Sequence, residues 1–389
     1  MFSKIMSLFE KDYPILCEQI DVECGMIDLP KFPETVFFNC AITKDNDGRT
    51  LLFSRRCREK RASDETAYKE RNDIVLFVLN ENMKAISMQE VILPRTFTNE
   101  NFEDPRIINF GSHWGLSCCS FVPRMSAAHQ CVFLLDKEFR CVHRFDPIYG
   151  KNFAQAITNE GHEKNWLWFK HNGNPHLIYQ ANPHRVVRMD GGLNKQEEFV
   201  SNDFNPYWQH GEVRGGSNPI FVDGLFWTFF HSSLPWKNAK RRYFMGAYAF
   251  EPEPPFRIVR MTSNPILGGT EKQDWYPGLP AVVFPCGSYF ENGKFVVSYG
   301  VNDIACGYIK IGLQEMLDLT NKIRVGRDVV DPVEAPLKEI SNPKFKRVKT
   351  KKSSTYDKLA QRLQEGEPEI PAGYTGSEPK RVDRVWTTS

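Results

Sequence analysis

The amino-acid sequence predicts an all-β protein, and three observations support this. Between about residues 34 and 312, short apolar or alternating runs follow one another, among them VFFNCAI (36–42), IVLFVLN (74–80), CVFLLD (131–136) and KFVVSYG (294–300). Turn-forming residues separate the runs, as in DNDG, HNGN, VDG and ENGK, which is typical of antiparallel strands joined by tight turns. No long helical pattern alternates with these runs, so a parallel α/β sheet is disfavoured.

The strands are too numerous for one simple β-sandwich. A β-propeller accommodates many successive strands, because each blade is one four-stranded sheet and radial closure protects the sheet edges. The sequence shows no clean internal repeat, so the number of blades does not follow from periodicity.

The region before the strands, residues 1–33, is expected to be an N-terminal helical extension. Its apolar residues with helical spacing are Phe2, Ile5, Met6 and Phe9. We place the propeller domain at residues 34–324, with a short helix expected at LQEMLDL (313–319).

Residues 325–389 are rich in Pro, Gly and charged residues, which predicts an extended, partly disordered C-terminal arm. Within it, PKFKRVKTKK (343–352) contains six basic residues. This run can contact the phosphates of a nucleic acid, or it can be a solvated linker.

Composition limits the function classes. The chain has 389 residues, 41% hydrophobic and 13% aromatic, and a formal charge of +2, so as a whole it is not strongly attracted to nucleic acid or to membranes. None of its ten cysteines forms a CxxC pair, which argues against a zinc ribbon or a thioredoxin-type site. Free buried thiols indicate a reducing compartment. With neither a signal-peptide core nor a membrane-spanning run, a cytoplasmic location is expected.

The NFEDPRI segment is the first candidate site. It combines Asn101, Glu103, Asp104 and Arg106 directly before an apolar strand. A carboxylate at such a junction can point into a central channel, with its pKa set by desolvation and by Arg106. The alternative is a structural ion pair, or a turn stabilised by the Asp-Pro step.

The EDPRI motif resembles the hallmark of glycoside hydrolase family 130, the inverting β-mannoside phosphorylases and hydrolases, and that of the related family 108 mannosyltransferases. Three further segments resemble that family in the same order. They are VRGGSNPIFVDGLFWTFFHSS (213–233), RRYFMGAYAFEPEPPFRIVRMTSNPIL (241–267) and VVFPCGSYFENGKFVVSYGVNDIACG (282–307). The resemblance covers about residues 35–315 and implies a five-bladed β-propeller.

The resemblance also implies residue roles. Asp104 matches the catalytic acid, which acts as base in the synthetic direction. Asp303 matches a carboxylate that contacts sugar hydroxyls, and His231 a histidine near phosphate. Arg55 or Arg56 matches an arginine that reaches the sugar, although only one of two adjacent strand residues can point inward. The expected substrate-binding residues are Arg55, Arg56, Asn101, Glu103, Arg106, Trp166 and Asp303.

One segment departs from the family pattern. Lys164-Asn165 stands where the family has a Lys-Asp pair, and Asn182-Pro183 stands where an Arg-Pro step supplies the phosphate-binding arginine. His184, Arg185 or Arg188 can substitute for that arginine. An altered anion site favours a nucleotide-sugar or sugar-phosphate donor over free inorganic phosphate. The expected donor-side residues are Lys164, Asn165, His184, Arg185, Arg214, His231 and Tyr243.

Two tryptophans in polar surroundings, Trp166 and Trp208, are candidates for stacking on a sugar, with core packing as the alternative. We find no metal-ligand constellation and expect no cofactor apart from the co-substrate. The sequence therefore predicts an inverting glycosyltransferase that uses an activated sugar donor. The alternatives are a β-mannoside phosphorylase or hydrolase, and a glycan-binding propeller without activity.

Overall fold

The computed structural model describes ten stretches of the chain. These are residues 15–16, 22–33, 35–58, 72–97, 99–122, 127–147, 163–202, 208–235, 241–269 and 281–322. The helix expected around residues 2–9, the arm at 325–389 and its basic run at 343–352 lie outside them.

Five antiparallel sheets form the five blades of a β-propeller, which confirms the predicted fold class. Blade 1 contains β3 (Thr35–Lys44), β4 (Thr50–Arg58), β5 (Asn72–Leu79) and β6 (Ala85–Val91). Blade 2 contains β7 (Asn101–Asn109), β8 (Trp114–Val122), β9 (Ala127–Leu135) and β10 (Cys141–Phe145). Blade 3 contains β11 (Leu167–His171), β12 (Asn174–Gln180), β13 (His184–Met189) and β14 (Lys195–Ser201).

The last two blades incorporate strands from the ends of the described chain. Blade 4 contains β15 (Ile220–Val222), β16 (Leu225–Pro235), β17 (Arg241–Phe250), β18 (Ile258–Thr262) and β19 (Leu267–Gly268). To its edge are added β1 (Ile15–Leu16) and β23 (Thr320–Lys322). Blade 5 contains β20 (Val283–Glu291), β21 (Lys294–Val301), β22 (Ala305–Gly312) and β2 (Glu23–Met26). The short helix α1 (Leu313–Leu319) follows β22, as expected.

Strand β2 closes the ring. It pairs with β22, so that the outer strand of blade 5 comes from a segment that precedes the other three by more than two hundred residues of sequence. This pairing joins the two ends of the ring, because blade 5 combines strands from both ends of the described chain. The propeller therefore begins before residue 34, and residues 22–33 belong to it.

Tight turns follow from the sequence signals. Asn172-Gly173, Asp223-Gly224 and Asn292-Gly293 each have positive φ at both positions, as a type I′ hairpin turn requires. They join the first and second strands of blades 3, 4 and 5. The HNGN, VDG and ENGK segments thus form hairpin turns, as the sequence predicted.

The core lies mainly between blades. Phe53 and Leu51 of blade 1, for example, share a buried cluster with Phe102 and Phe133 of blade 2. Alternate residues of each strand face such clusters, because side chains alternate between the faces of a sheet. The nine described cysteines are all free, and six of them are buried in this core. No helix in the described ranges is both long and apolar enough to cross a membrane.

Candidate active site

The innermost strands of neighbouring blades meet around the propeller axis, where β3 contacts β7 and β20, and candidate residues from these and other strands and turns lie together there. We call this group the axial site. It consists of Asn39, Arg55, Glu103, Asp104, Lys164, His231, Tyr243 and Asp303.

Asp104 lies at a β-bulge in β7. Glu103 pairs with Cys119 and Arg106 pairs with Ser117, so Asp104 and Pro105 stand opposite a single residue of β8. Asp104 has φ +53°, a conformation that residues other than glycine rarely adopt. Bulges re-aim side chains and are common beside active sites. Here the bulge turns a carboxylate toward the other charged groups of the axial site.

Asn39 occupies a matching position in β3. Phe38 pairs with Arg55 and Cys40 pairs with Ser54, which leaves Asn39 as the extra residue of a second bulge. It also has positive φ, +46°. Its Nδ2 donates a hydrogen bond of 2.8 Å to Oδ1 of Asp104. Two strained positions on adjacent blades therefore hold one another, which fixes the Asp104 carboxylate.

Two cations, Arg55 and Lys164, and the carboxylate of Glu103 lie beside this pair. Nη2 of Arg55 lies 2.9 Å from Oε1 of Glu103, and Nη1 lies 3.7 Å from Oδ1 of Asp104. Nζ of Lys164 lies 3.8 Å from Oε2 of Glu103. Arg55 also packs over the ring of Phe38, with 4.6 Å from its Cζ to the ring centroid. The charges are therefore paired and their positions are restrained.

The two aspartates of the axial site have opposite pKa shifts. Burial raises the pKa of Asp104, but Arg55, Arg106, Lys164 and the Asn39 hydrogen bond outweigh burial and hold this pKa below its usual value. Burial raises the pKa of Asp303 to about 6, with a further rise from Asp104 and Glu103 and a partial offset from Arg55 and Asn39. Environments that separate the pKa values of two carboxyl groups assign them different protonation states.

Arg106 has a different position from the one expected. It is fully buried, and its guanidinium donates to the carbonyls of Asp104, Gly215 and Gly216 and to Oδ1 of Asn165. These bonds engage four of its five N–H donors, so Arg106 holds the bulge in place. The Asn165 side chain accepts one of these four hydrogen bonds. We call this set of bonds to the buried guanidinium the Arg106 clamp.

Two adjacent glycines, Gly215 and Gly216, allow the Arg106 guanidinium to be held in this way. A Cβ on Gly215 would lie 2.0 Å from the carbonyl oxygen of Asn165, and one on Gly216 would lie 2.2 Å from that of Phe229. Contacts so short are impossible for a residue with a side chain. Both glycines are thus required for close approach of the backbone.

His231 and Tyr243 form the aromatic side of the axial site. The His231 ring lies 4.3 Å from Phe284 and 6.0 Å from Tyr243, measured between centroids. Burial, Arg106 and Arg214 lower the pKa of His231 to about 3, so the imidazole is neutral. Burial and Asp303 raise the pKa of Tyr243. These two residues therefore offer neutral hydrogen-bonding groups and no positive charge.

Arg214 lies at the edge of this side. Its backbone exchanges two hydrogen bonds with that of His231, and its guanidinium pairs with Glu212 at 2.8 Å. Its charge reaches the axial site, since it lowers the pKa of His231.

Several predicted residues lie elsewhere. Arg56 points to the opposite face of β4 from Arg55, where it pairs with Asp73 and Glu90. Asn101 accepts a hydrogen bond from the backbone of Asn72, whose side chain accepts one from Arg55. Asn101 therefore supports Arg55 indirectly.

The segment around Asn182 also differs from the prediction. His184 is buried against Tyr248 and Phe250, with Nδ1 2.8 Å from the Phe256 carbonyl oxygen. Arg185 pairs with Glu198 of the adjacent strand at 3.2 Å, as Arg188 does with Glu197. Asn182 is exposed in the turn between β12 and β13. His184 thus contacts groups of blade 4, and Arg185 and Arg188 contact groups of blade 3.

The two tryptophans proposed for sugar stacking are core residues. Trp166 is 2% exposed and packs with Trp168 and Leu177 between blades 2 and 3. Trp208 is buried and donates from Nε1 to the hydroxyl of Ser232 at 3.2 Å.

Asn39 is the site residue that sequence analysis missed. The sequence did contain an indication of it, because asparagine is unfavourable within an apolar strand such as VFFNCAI and therefore suggests a special role there. Among the described residues, no group of three or more His, Cys, Asp or Glu side chains is arranged to hold a metal ion.

Comparison with known families decides the assignment. The family model described as β-1,4-mannooligosaccharide phosphorylase, glycoside hydrolase family 130, matches residues 21–322. The chain belongs to glycoside hydrolase family 130. No curated protein matches it in sequence.

Solved structures related to this family 130 protein share its fold at low identity. The β-1,2-mannobiose phosphorylase from Listeria innocua is 14% identical with a TM-score of 0.56, and the match covers 75% of this chain and 94% of that one. The GDP-Man-dependent mannosyltransferase MPT-1 from Leishmania mexicana is 13% identical with a TM-score of 0.51, covering 80% and 95%. The mannose phosphorylase MPT-4 from the same organism, in complex with phosphate ion, is 12% identical with a TM-score of 0.51, covering 84% and 98%.

Proposed function

We propose that this family 130 protein is an inverting glycosyltransferase that moves a mannosyl unit from an activated donor to a hydroxyl acceptor, with Asp104 as general base. The observation that supports transfer to an acceptor is the lowered pKa of Asp104. Burial alone would raise this pKa, but the charges of Arg55, Arg106 and Lys164 and the hydrogen bond from Asn39 outweigh burial. A carboxyl group with a low pKa is in its basic form at neutral pH and can accept a proton from an attacking hydroxyl. Phosphorolysis would require the same group to be protonated.

The transfer is a single displacement. The acceptor oxygen forms a bond to the anomeric carbon as the bond from that carbon to the leaving group breaks, and the acceptor proton passes to Asp104. An anionic leaving group, a phosphate or diphosphate, departs with the electron pair and needs no acid. One displacement inverts the anomeric configuration. Asp303 and Arg55 hold sugar hydroxyls in this proposal, through acceptor and donor contacts respectively.

The charge balance of the axial site supports a donor, such as a sugar nucleotide, that binds through more groups than its phosphate. Arg55 and Lys164 pair with Glu103, Arg214 pairs with Glu212, and His231 is neutral. Free inorganic phosphate binds mainly through charge, so cations already paired with carboxylates hold it weakly. A sugar nucleotide adds contacts through its sugar and its nucleoside.

The test is a pair of reactions with the full-length protein. One contains GDP-mannose with a panel of mannosides, and the other contains β-mannobiose with inorganic phosphate. We expect a longer mannoside and free nucleotide in the first, with an anomeric configuration opposite to that of the donor by NMR. Mannose 1-phosphate formed in the second reaction, with none of the first product, would show a phosphorylase instead.

Asp104→Asn separates catalysis from binding. It keeps the shape of the side chain and removes its basicity, so turnover is expected to fall by about 10²–10⁴-fold, while binding of the mannoside by calorimetry remains. Binding by the unaltered protein without turnover of either donor would instead support a glycan-binding propeller.

A further inference from the structure

Gly300 of β21 lies directly beside the amide of Asn39. A Cβ placed on Gly300 would lie 1.9 Å from Oδ1 of Asn39, 3.0 Å from its Cγ and 2.9 Å from its backbone nitrogen. The φ angle of Gly300 is outside the left-handed region, so the backbone itself would accept alanine. The space that Asn39 occupies therefore explains why this position has no side chain.

Asn39 cannot move away from such a group without losing its contact with Asp104. The Asn39 side chain is buried, its backbone is held in a bulge at φ +46°, and its Nδ2 donates to Asp104 at 2.8 Å. Asn39 also lowers the pKa of Asp303 by hydrogen bonding. The Asn39 amide therefore contacts Asp104 and also affects the ionisation of Asp303.

We propose that Gly300 is a positioning residue for Asp104. The absence of a side chain at Gly300 provides the space in which the Asn39 amide is seated, and the amide fixes the orientation of the Asp104 carboxylate. The inference rests on the proposed function for its kinetic consequence, but the contact between Asn39 and Asp104 can be tested without any turnover.

Other close glycines act differently. A Cβ on Gly287 would meet the backbone nitrogen of Ile42 at 2.3 Å and the Cα of Ala41 at 2.6 Å. That position governs the packing of β20 on β3, and a substitution there would disturb the fold. At Gly300 the shortest contact is with a side chain that itself touches the catalytic carboxylate.

The test is Gly300→Ala. Displacement of the amide removes a hydrogen bond that stabilises the ionised carboxylate, so the pKa of Asp104, followed by ¹³C NMR of labelled aspartate, is expected to rise. A shift of about 1 Å in a catalytic group can reduce turnover by about 10²-fold. We expect kcat to fall by about that factor, with KM little changed, because the contact matters in the transition state.

Gly191→Ala is the matched control. Gly191 lies in the turn between β13 and β14, its φ is outside the left-handed region, and no atom lies within 4 Å of a Cβ placed on it. This variant is expected to leave kcat and the pKa of Asp104 as they are in the unaltered protein.

A double variant tests the route through Asn39. Because Asn39→Ala removes Oδ1 and Cγ, the side-chain atoms at 1.9 and 3.0 Å, and leaves only the backbone nitrogen at 2.9 Å, adding Gly300→Ala to it should cost little further turnover, so the two effects are not additive. If Gly300→Ala alone does not fold, the double variant decides: recovery of folding supports the proposal, and continued unfolding overturns it by showing a backbone clash.

Failure of this inference is distinguishable from failure of the proposed function. An unchanged Asp104 pKa in Gly300→Ala, or additive effects with Asn39→Ala, would overturn the positioning role even if the enzyme transfers mannose. If no glycosyl transfer is detected at all, the pKa measurement still decides whether Gly300 acts on Asp104.

Discussion

Nδ2 of Asn39 donates a hydrogen bond of 2.8 Å to Oδ1 of Asp104, and the two residues lie at bulges of neighbouring innermost strands. Each has a positive φ, which costs on the order of 1–3 kcal/mol at a residue other than glycine. Strain of this kind persists where the surroundings over-determine the geometry. Two blades therefore cooperate to hold one carboxylate, and its position depends on the junction between them.

Asn39→Ala should raise the pKa of Asp104. The hydrogen bond favours the ionised carboxylate, so the variant protonates at a higher pH than the unaltered protein. The acid limb of the kcat profile, where the base is lost by protonation, is expected to move to higher pH, with kcat at neutral pH reduced by about 10²-fold, as in Gly300→Ala. An acid limb at the same pH in both proteins would contradict this.

Arg55 and Arg56 provide a matched pair of neighbours on opposite faces of β4. Arg55→Ala removes the cation that lies 3.7 Å from Asp104 and 2.9 Å from Glu103. We expect kcat/KM to fall by about 10²-fold or more, since the variant loses the donor that we propose for the substrate and one source of the low Asp104 pKa.

Arg56→Ala is the control, and its effect should be on stability. It removes the ion pairs of Arg56 with Asp73 and Glu90, at a cost of about 1–3 kcal/mol in unfolding free energy. Kinetic constants should be unchanged at temperatures where the variant is folded. Equal losses of kcat/KM in the two variants would show that Arg55 has no special role.

The alternation of strands explains which parts of the fold and site the sequence could predict. The hairpins at Asn172-Gly173 and Asn292-Gly293 followed from turn chemistry, and the choice between Arg55 and Arg56 was already limited to one by the period of two. The number of blades required the family resemblance, because the blades of this chain differ in sequence. The ring closure by β2 depends on pairing across nearly the whole chain, which local patterns do not reveal.

The positions of the predicted residues that lie outside the axial site have an equally physical explanation. Trp166 follows the polar residues HEKN, which indicated an exposed loop, but it immediately precedes the innermost strand of blade 3 and packs beneath Trp168. His184 and Arg185 were expected to replace a missing arginine, but alternation along β13 turns one into the core and the other toward Glu198. Arg106 belongs to the right motif, but its neighbours Gly215 and Gly216 could not be known from the sequence.

Arg106→Ala should strongly destabilise the protein. The buried guanidinium bonds three carbonyls and Asn165, and removing it leaves the carbonyls of Gly215 and Gly216 without that donor. We expect a loss of about 3–5 kcal/mol in unfolding free energy, measured by urea denaturation. Arg214→Ala, at an exposed pair with Glu212, is the control and should change stability by about 0.5 kcal/mol or less. Similar urea midpoints for the two variants would show that the hydrogen bonds of Arg106 do not stabilise the fold.

The raised pKa of Asp303 predicts that the free energy of unfolding depends on pH in a distinctive way. Burial raises its pKa to about 6 in the folded protein, above the value of about 3.9 in an unfolded chain. The folded state therefore holds the proton more tightly. The contribution of this group to stability is fully present below about pH 4 and is lost as the pH rises to about 6, because over that range the native state binds more protons than the unfolded state.

Asp303→Asn should remove this dependence. The amide cannot ionise, so the variant is expected to gain up to about 3 kcal/mol over the unaltered protein at pH 7, the equivalent of a two-unit pKa difference, and little at pH 4. Urea denaturation of both proteins at pH 4, 5, 6 and 7 measures the difference. Asp104, whose pKa is lowered, has the opposite sign: its contribution is present at pH 7 and is lost as the pH falls through its folded pKa. Asp104→Asn should therefore lose stability at pH 7, and a gain there equal to that of Asp303→Asn would show that the two carboxyl groups share one environment.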